Sequence, residues 1–131
     1  MSSPTAQNAR KVVFVVDDDP SIRTLVAKAL GAKGYDVIEA EDGLKASEAL
    51  GRLKRLPDLM ICDVMMPTID GFTLARLVKS HDELKKMPII FLTAKTQPRD
   101  QATGISLGAR HYIQKPFSLQ ELLEKVEKTI R

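Results

Sequence analysis

The chain has no tryptophan, a single cysteine, and only two tyrosines and four phenylalanines among its 131 residues. A lone Cys62 cannot close an internal disulfide, which points to a reducing compartment. No apolar run approaches the ~18 residues of a membrane span. The polar first ten residues, Met1 to Arg10, lack the apolar stretch of a secretory signal. Seven glycines and seven prolines are too few for a collagen-like or low-complexity chain, and a 44% hydrophobic content excludes wholesale disorder. A glycine-rich phosphate loop is missing, and no histidine or cysteine falls at metal-ligand spacing. The basic excess is small, 20 Lys and Arg against 17 Asp and Glu for a net charge of +3. Its tightest group, Arg52, Lys54 and Arg55, has no interleaved aromatics, so direct nucleic-acid binding is not expected. A soluble, cytoplasmic, single-domain protein is expected, long enough to bury roughly two-thirds of its unfolded surface.

Five short apolar runs are present, alternating with five helix-like segments. The runs are Lys11 to Val16, Asp36 to Ala40, Asp58 to Cys62, Pro88 to Thr93 and Arg110 to Gln114. The first, third and fourth are almost continuously apolar, the pattern of strands covered on both faces in a parallel sheet. The run around Val37 and Ile38 is mixed and suits an edge. Between the runs the period changes to 3.6 residues. Ile22, Leu25, Val26, Ala29 and Leu30 form one stripe, entered through Asp19-Pro20 and stopped by Gly31 and Gly34. A second helix is expected from about Asp42 to Arg55, with Ala46, Ala49, Leu50 and Leu53 inward. A third begins after Asp70-Gly71 with Leu74, Leu77 and Val78. The fourth, Pro98 to Leu107, offers only Ala102, Ile105 and Leu107 to a core and contains Gly104, so it is expected to be the most mobile. In the last, Ser118 and Glu121 form a capping box, Phe117 and Leu122 a staple, and Leu119, Leu122, Leu123, Val126 and Ile130 the stripe. Five alternations imply a five-stranded parallel α/β sheet with helices on both faces. Residues 1–10 are expected to be a disordered arm and residues 11–131 the domain.

In a parallel sheet every strand C-terminus emerges on one edge, and ligands bind in the crevice there. The polar residues at those ends are Asp17, Asp18 and Asp19, then Asp63, Thr93, and Lys115-Pro116. Asp19 has a simpler role as a helix cap, but one cap does not account for two further acids. Carboxylates of Asp17, Asp18 and Asp63 brought close together cannot all ionise comfortably unless a cation neutralises them. An all-oxygen set suits Mg²⁺ or Ca²⁺, and too few ligands for a full Ca²⁺ cage favour Mg²⁺. Carboxylates, a divalent ion, a lysine and a hydroxyl are equipment for a phosphoryl group. Without a nucleotide loop, a carboxylate becomes the candidate acceptor, and Asp63 stands at the centre.

These stretches resemble the receiver domain of two-component response regulators. The resemblance rests on Val-Val-Asp-Asp-Asp-Pro at 15–20, Asp-Val-Met-Met-Pro-Thr-Ile-Asp-Gly at 63–71, Phe-Leu-Thr-Ala at 91–94, Gly-Ala at 108–109 and Tyr-Ile-Gln-Lys-Pro-Phe at 112–117. The resemblance implies a flavodoxin-like, doubly wound sheet with strand order 2-1-3-4-5. It implies Asp63 as phosphoacceptor, served by a phosphohistidine on a sensor histidine kinase or histidine phosphotransfer protein. It further implies Mg²⁺ held directly by Asp18, through water by Asp17, and by Asp63 and the Met65 backbone carbonyl. Lys115 would pair with a phosphoryl oxygen across a cis Lys115-Pro116 peptide. Thr93 and Tyr112 would form the switch, changing the surface of the fourth helix, fifth strand and fifth helix that a downstream target reads. Arg110 and His111 make that surface more basic than is usual, which suits an acidic partner face.

Two other readings fit less well. A Mg²⁺-dependent phosphatase of the haloacid dehalogenase type wants a second acid two residues past its nucleophile, where this chain has Met65. A vestigial scaffold would have lost Asp63, Lys115 or one of the paired acids. The protein is therefore read as a phosphorylation-dependent switch acting in a phosphorelay. It is not an enzyme beyond its own phosphorylation and dephosphorylation. Met1 and the absence of a linker after Ile130 favour a stand-alone regulator over a domain cut from a longer one with a DNA-binding or enzymatic output.

Overall fold

Residues 10–131 are described by a computed structural model; the expected arm lies, Arg10 apart, outside the described residues. Strands β1 (Val12–Val16), β2 (Asp36–Ala40), β3 (Leu59–Cys62), β4 (Ile89–Thr93) and β5 (Ala109–Gln114) alternate with helices α1 (Pro20–Ala32), α2 (Gly43–Leu50), α3 (Gly71–Ser80), α4 (Pro98–Ser106) and α5 (Leu119–Ile130). The strands pair in parallel in the order β2-β1-β3-β4-β5. This is the doubly wound, flavodoxin-like arrangement that the family resemblance implies.

Alternation along the three apolar strands divides the interior into two layers, because successive strand side chains point to opposite faces. Phe14, Val16, Met60, Cys62, Ile89 and Phe91 pack against Ala46 and Leu50 of α2 and Leu74, Ala75 and Val78 of α3. Val13, Val15, Leu59, Ile61, Ile90 and Leu92 pack against Val26 and Leu30 of α1 and Leu122, Val126 and Ile130 of α5. Both faces of β1, β3 and β4 are thus covered, so their runs are apolar throughout. Strand β2, at one edge, buries only Ala40 fully.

The helices start where short polar side chains satisfy their free N–H groups. Asp19 accepts hydrogen bonds from the amides of Ser21 and Ile22, Asp42 from Lys45, Asp70 from Thr73 and Ser118 from Glu121. Phe117 lies in the same cluster as Leu122.

Three sequence expectations need correction. Helix α2 ends at Leu50, not near Arg55: Gly51 caps it, the Arg52 amide closes a tight turn onto the Ala49 carbonyl, and Leu53 reaches the core from the following loop. Glycine is a poor helix former, and the basic residues after it have no buried face to extend. Leu25, which the helical period places on the inner stripe of α1, is 48% exposed, because Val26 and Leu30 already fill the contact with the sheet. In α4 the apolar Ala102 and Ile105 are exposed, while Asp100 and Gly104 are the buried residues. A side-chain-free position is what fits there, since a Cβ on Gly104 would lie 2.8 Å from the Tyr112 ring.

Cys62 is fully buried in β3, with its Sγ 3.1 Å from the Asp63 carbonyl oxygen. Burial, and then the charges of Asp63, Asp17 and Asp70, push its thiol well above the ordinary range. The reactive thiolate is therefore suppressed at neutral pH, and the sulfur is sheltered from reagents. The native protein should resist maleimide labelling at pH 7.5 over a period in which urea-unfolded protein labels completely. Comparable rates in the two states would contradict this packing.

Candidate functional site

The strand ladders continue one residue beyond the apolar runs, and this continuation builds the site. The Asp17 amide donates to the Ala40 carbonyl at 3.2 Å, and the Asp63 amide to the Val16 carbonyl at 3.0 Å. On the other side, the Lys115 amide donates to the Thr93 carbonyl at 2.8 Å. Residues distant in sequence are thereby set side by side at the C-terminal edge, in the crevice where the chain switches from one side of β1 to the other.

Asp17, Asp18 and Asp63 each offer a carboxylate oxygen within 4.8 Å of the others. Asp17 is 2% exposed and Asp63 6%, whereas Asp18 is open to solvent. The Lys115 ammonium sits between the two buried acids, donating to Asp17 Oδ2 and Asp63 Oδ2 at 2.9 Å each. The other oxygen of Asp63, Oδ1, accepts from the Met65 amide at 3.0 Å. Asp17 Oδ1 accepts from the Asp19 amide at 2.9 Å.

Three carboxylates against one ammonium leave two formal negative charges in the crevice. Burial raises the Asp17 carboxyl above its ordinary value, although the Asp19 amide and Lys115 oppose the shift. Burial works to lower the Lys115 ammonium, but its hydrogen bonds to Asp63 and Asp17 and the charges of both acids together make the net shift upward. The two shifts run the same way: the lysine is well compensated, and the buried Asp17 is not. A hard divalent cation fits that remainder in charge and in its all-oxygen donors.

Thr93 is fully buried at the end of β4, and its Oγ1 accepts from the Lys95 amide at 3.1 Å. The Lys95 carbonyl accepts from the Tyr112 hydroxyl, and Lys95 Nζ lies 3.7 Å from the buried Asp100 carboxylate. Asp100 in turn accepts from the Gln97 amide at the start of α4. The Tyr112 ring lies 5.9 Å from that of Phe91 and against Gly104. Burial, then the charges of Asp100 and Asp63, push its phenol up to about 12. Lys115-Pro116 is cis.

The structure therefore brings Asp17, Asp18, Asp63 and Lys115 into direct proximity, with Met65 bonded to Asp63 through its amide. Thr93 and Tyr112 are joined through Lys95. Three contributors escaped the sequence reading. Arg23 Nη1 donates to the Asp17 carbonyl at 2.7 Å, and nothing in the sequence signals that reach. Asp100 could have been found from its place as an acid in the first turn after Pro98. Gly71 could have been found from its oddity, since glycine is a weak choice for opening a helix whose cap, Asp70, is already present.

The reason for Gly71 is close approach. Between β3 and α3 the chain turns through Thr68, held at a φ of 65°. It then returns so that the Gly71 amide donates to the Val64 carbonyl at 2.8 Å. A Cβ on Gly71 would fall 2.1 Å from the Asp63 carbonyl oxygen and 2.8 Å from Val64 Cα.

A parallel α/β domain with buried acids and a lysine at its switch point defines a small class of proteins, and the comparisons specify which one. The response regulator receiver domain model matches residues 13–127, and the chain belongs to that family. It is 37% identical over 119 residues to the DNA-binding dual master transcriptional regulator RpaA of Synechocystis, covering 91% of this chain and 48% of that protein. It is 38% identical over 121 residues to the phosphate regulon transcriptional regulatory protein PhoB of Pseudomonas aeruginosa, covering 92% and 52%. The chain thus spans about half the length of the curated relatives it matches. Among solved structures, the chemotaxis protein CheY4 of Vibrio cholerae superposes with a TM-score of 0.85 at 34% identity, over 92% of this chain and 99% of that one. The receiver domain of the sensor histidine kinase PA1611 of P. aeruginosa, which carries a magnesium ion in its active-site cleft, gives 0.82 at 28% identity over 93% and 98%. No helix among the described residues is long and apolar enough to cross a membrane.

Replacing Gly71 with alanine should force backbone apart beside Asp63 and destabilise the protein by about 1–3 kcal/mol, the usual cost of overpacking. Gly31→Ala is the control, because a Cβ there meets nothing within 4 Å. It should leave stability unchanged or raise it by up to about 1 kcal/mol. Urea unfolding of both variants checks this, and equal effects would contradict the close-approach account.

Proposed function

We propose that Asp63 is the phosphoacceptor of a phosphorelay switch, receiving its phosphoryl group from a phosphohistidine on a sensor histidine kinase or phosphotransfer protein. The observation that carries this reading is the pairing of Asp63: a buried carboxylate with one oxygen on a backbone amide and the other on the Lys115 ammonium. A carboxylate oxygen attacks phosphorus, the new O–P bond forms, and the P–N bond to the donor imidazole breaks with its electron pair leaving on nitrogen. The product is an acyl phosphate on Asp63. Water later attacks the same phosphorus, releasing phosphate and restoring the carboxylate.

Asp18, Asp17, Asp63 and the Met65 backbone carbonyl would hold Mg²⁺. When bound, the ion neutralises charge on the acids and on the transferred group. The chain's own groups do the rest. The Lys115 ammonium exchanges its Asp63 oxygen for a phosphoryl oxygen without leaving the crevice. Thr93 turns its hydroxyl towards the phosphoryl group and gives up the Lys95 amide. That amide and the carbonyl holding Tyr112 belong to one residue, so the loss at Thr93 is felt at Tyr112 and, through Asp100, at α4. Helix α4 buries little apart from Asp100 and Gly104, which makes it the helix best suited to rearrange.

The output surface is the face formed by α4, β5 and α5. A shallow depression of about 360 Å³ lies there, lined among others by Ile105, Arg110, His111, Tyr112 and Lys125. Ile105 is 66% exposed. Burial, with Lys125, Lys128 and Arg110 nearby, holds the His111 imidazole below its ordinary value. With Arg110 and Lys125 against one acid, Glu121, the lining is basic on balance and suits an acidic target protein. The chain acts in the cytoplasm and turns over no substrate other than its own phosphoryl group. A second reading, a receiver that governs a DNA-binding output in a longer regulator, is favoured by relatives of twice this length, one of them named as DNA-binding.

Incubation with acetyl phosphate and Mg²⁺ should add one phosphoryl group to the wild type, as read by intact mass. The adduct should not form when a chelator is present from the start, and should be absent in Asp63→Asn. An adduct of equal yield in Asp63→Asn would overturn the assignment.

A further inference from the structure

The acids of the crevice are only as well placed as the backbone that carries them, and one cation outside the crevice holds that backbone. Arg23 lies in the first turn of α1. Its Nη1 donates to the Asp17 carbonyl at 2.7 Å, and its Nε stands 3.4 Å from Glu39 Oε1 on β2. The Arg23 side chain is 19% exposed and that of Glu39 44%, so the contact with the Asp17 carbonyl is the more sheltered of the two. Beyond the end of β1 the Asp17 carbonyl is taken by this guanidinium. The amide of the same residue is taken by Ala40 of β2, and its Oδ1 by the Asp19 amide. Arg23 and Glu39 therefore complete a frame that fixes residues 17–19 against the edge strand from the side opposite Lys115.

We propose that Arg23 is a positioning residue for the divalent cation, setting the Asp17–Asp18 segment so that its carboxylates meet Asp63, with Glu39 orienting the guanidinium. The inference rests on the cation reading given above and extends it to a residue that need not touch the ion. Partners that orient metal ligands in this way commonly carry a 10- to 100-fold share of metal affinity.

Charge and position predict opposite signs here, which makes the idea decidable. A guanidinium near a cation site repels the ion, so removing its charge tightens Mg²⁺ binding if Coulomb forces alone matter. If Arg23 acts by position, removing it weakens binding. The experiment is calorimetric titration of Mg²⁺ into wild type, Arg23→Gln, Arg23→Lys and Glu39→Gln, with thermal unfolding of each to establish that it is folded. Arg23→Gln should bind Mg²⁺ roughly 10-fold more weakly. Arg23→Lys, which keeps a donor, should recover part of the loss, and Glu39→Gln should show a smaller weakening. Unchanged or tighter binding by folded Arg23→Gln overturns the inference even if its melting temperature falls, since a purely structural role would move stability alone. Should Arg23→Gln fail to fold, Arg23→Lys decides, because it keeps the charge and changes only the donor geometry, and affinity equal to the wild type there overturns it equally. Absence of Mg²⁺ binding by the wild type overturns the cation reading and this inference with it. Binding by the wild type at an affinity the variants share overturns the inference alone.

Discussion

The Lys115 ammonium between Asp17 and Asp63 is the contact on which the rest of the molecule turns. It joins residues 98 and 52 positions apart in the chain, at 2.9 Å each. Two carboxylates buried to this degree would repel each other and resist ionisation without a cation between them. One lysine compensates part of their charge, and with Asp18 beside them an excess of negative charge remains. The crevice is therefore stable enough to exist and electrostatically incomplete. That combination lets one small charged group, arriving or leaving, alter the balance of the whole edge of the sheet.

Holding this arrangement requires a rigid foundation, and the sheet supplies it. The apolar runs of β1, β3 and β4 are covered on both faces, and the ladder hydrogen bonds run on into Asp17, Asp63 and Lys115. Close approach of Gly71 pins the Asp63 backbone from below, and Arg23 pins that of Asp17 from the side. The opposite flank is built differently. There α4 presents a buried glycine and a buried acid where α3 presents Phe72, Leu74, Ala75 and Val78. Polar contacts through Lys95 take the place of apolar packing, and such contacts have discrete alternative partners. A groove of about 450 Å³ between α2 and α3 lies away from the crevice and belongs to neither arrangement.

Much of this was legible in the sequence because it follows from where apolar runs stop. The strand ends at Val16, Cys62, Thr93 and Gln114 placed the acids, the hydroxyl and the lysine on one edge before any distance was known. The caps Asp19 and Ser118 were readable because an N-terminal turn needs an acceptor within three residues, and the structure adds Asp42 and Asp70 in the same role. What escaped depends on tertiary contact. The stripe of α1 admitted Leu25 because periodicity gives the angle of a face and not its width. The end of α2 was overrun because Leu53 is genuinely apolar and reaches the core, though not from a helix. Arg23 was invisible because a long side chain carries no local sign of the carbonyl it will meet. The burial of Asp100 and Gly104 ran against composition, which offered Ala102 and Ile105 instead.

The most direct test of the central claim is to trap the phosphoryl group chemically and find the residue that bears it. Borohydride reduces an aspartyl phosphate to homoserine, so treatment of the phosphorylated protein followed by peptide mass spectrometry reads the position. The account predicts homoserine at position 63 and intact aspartate at 17 and 18. Homoserine at 17 or 18, or a phosphoryl group found instead on His81 or His111, would contradict it.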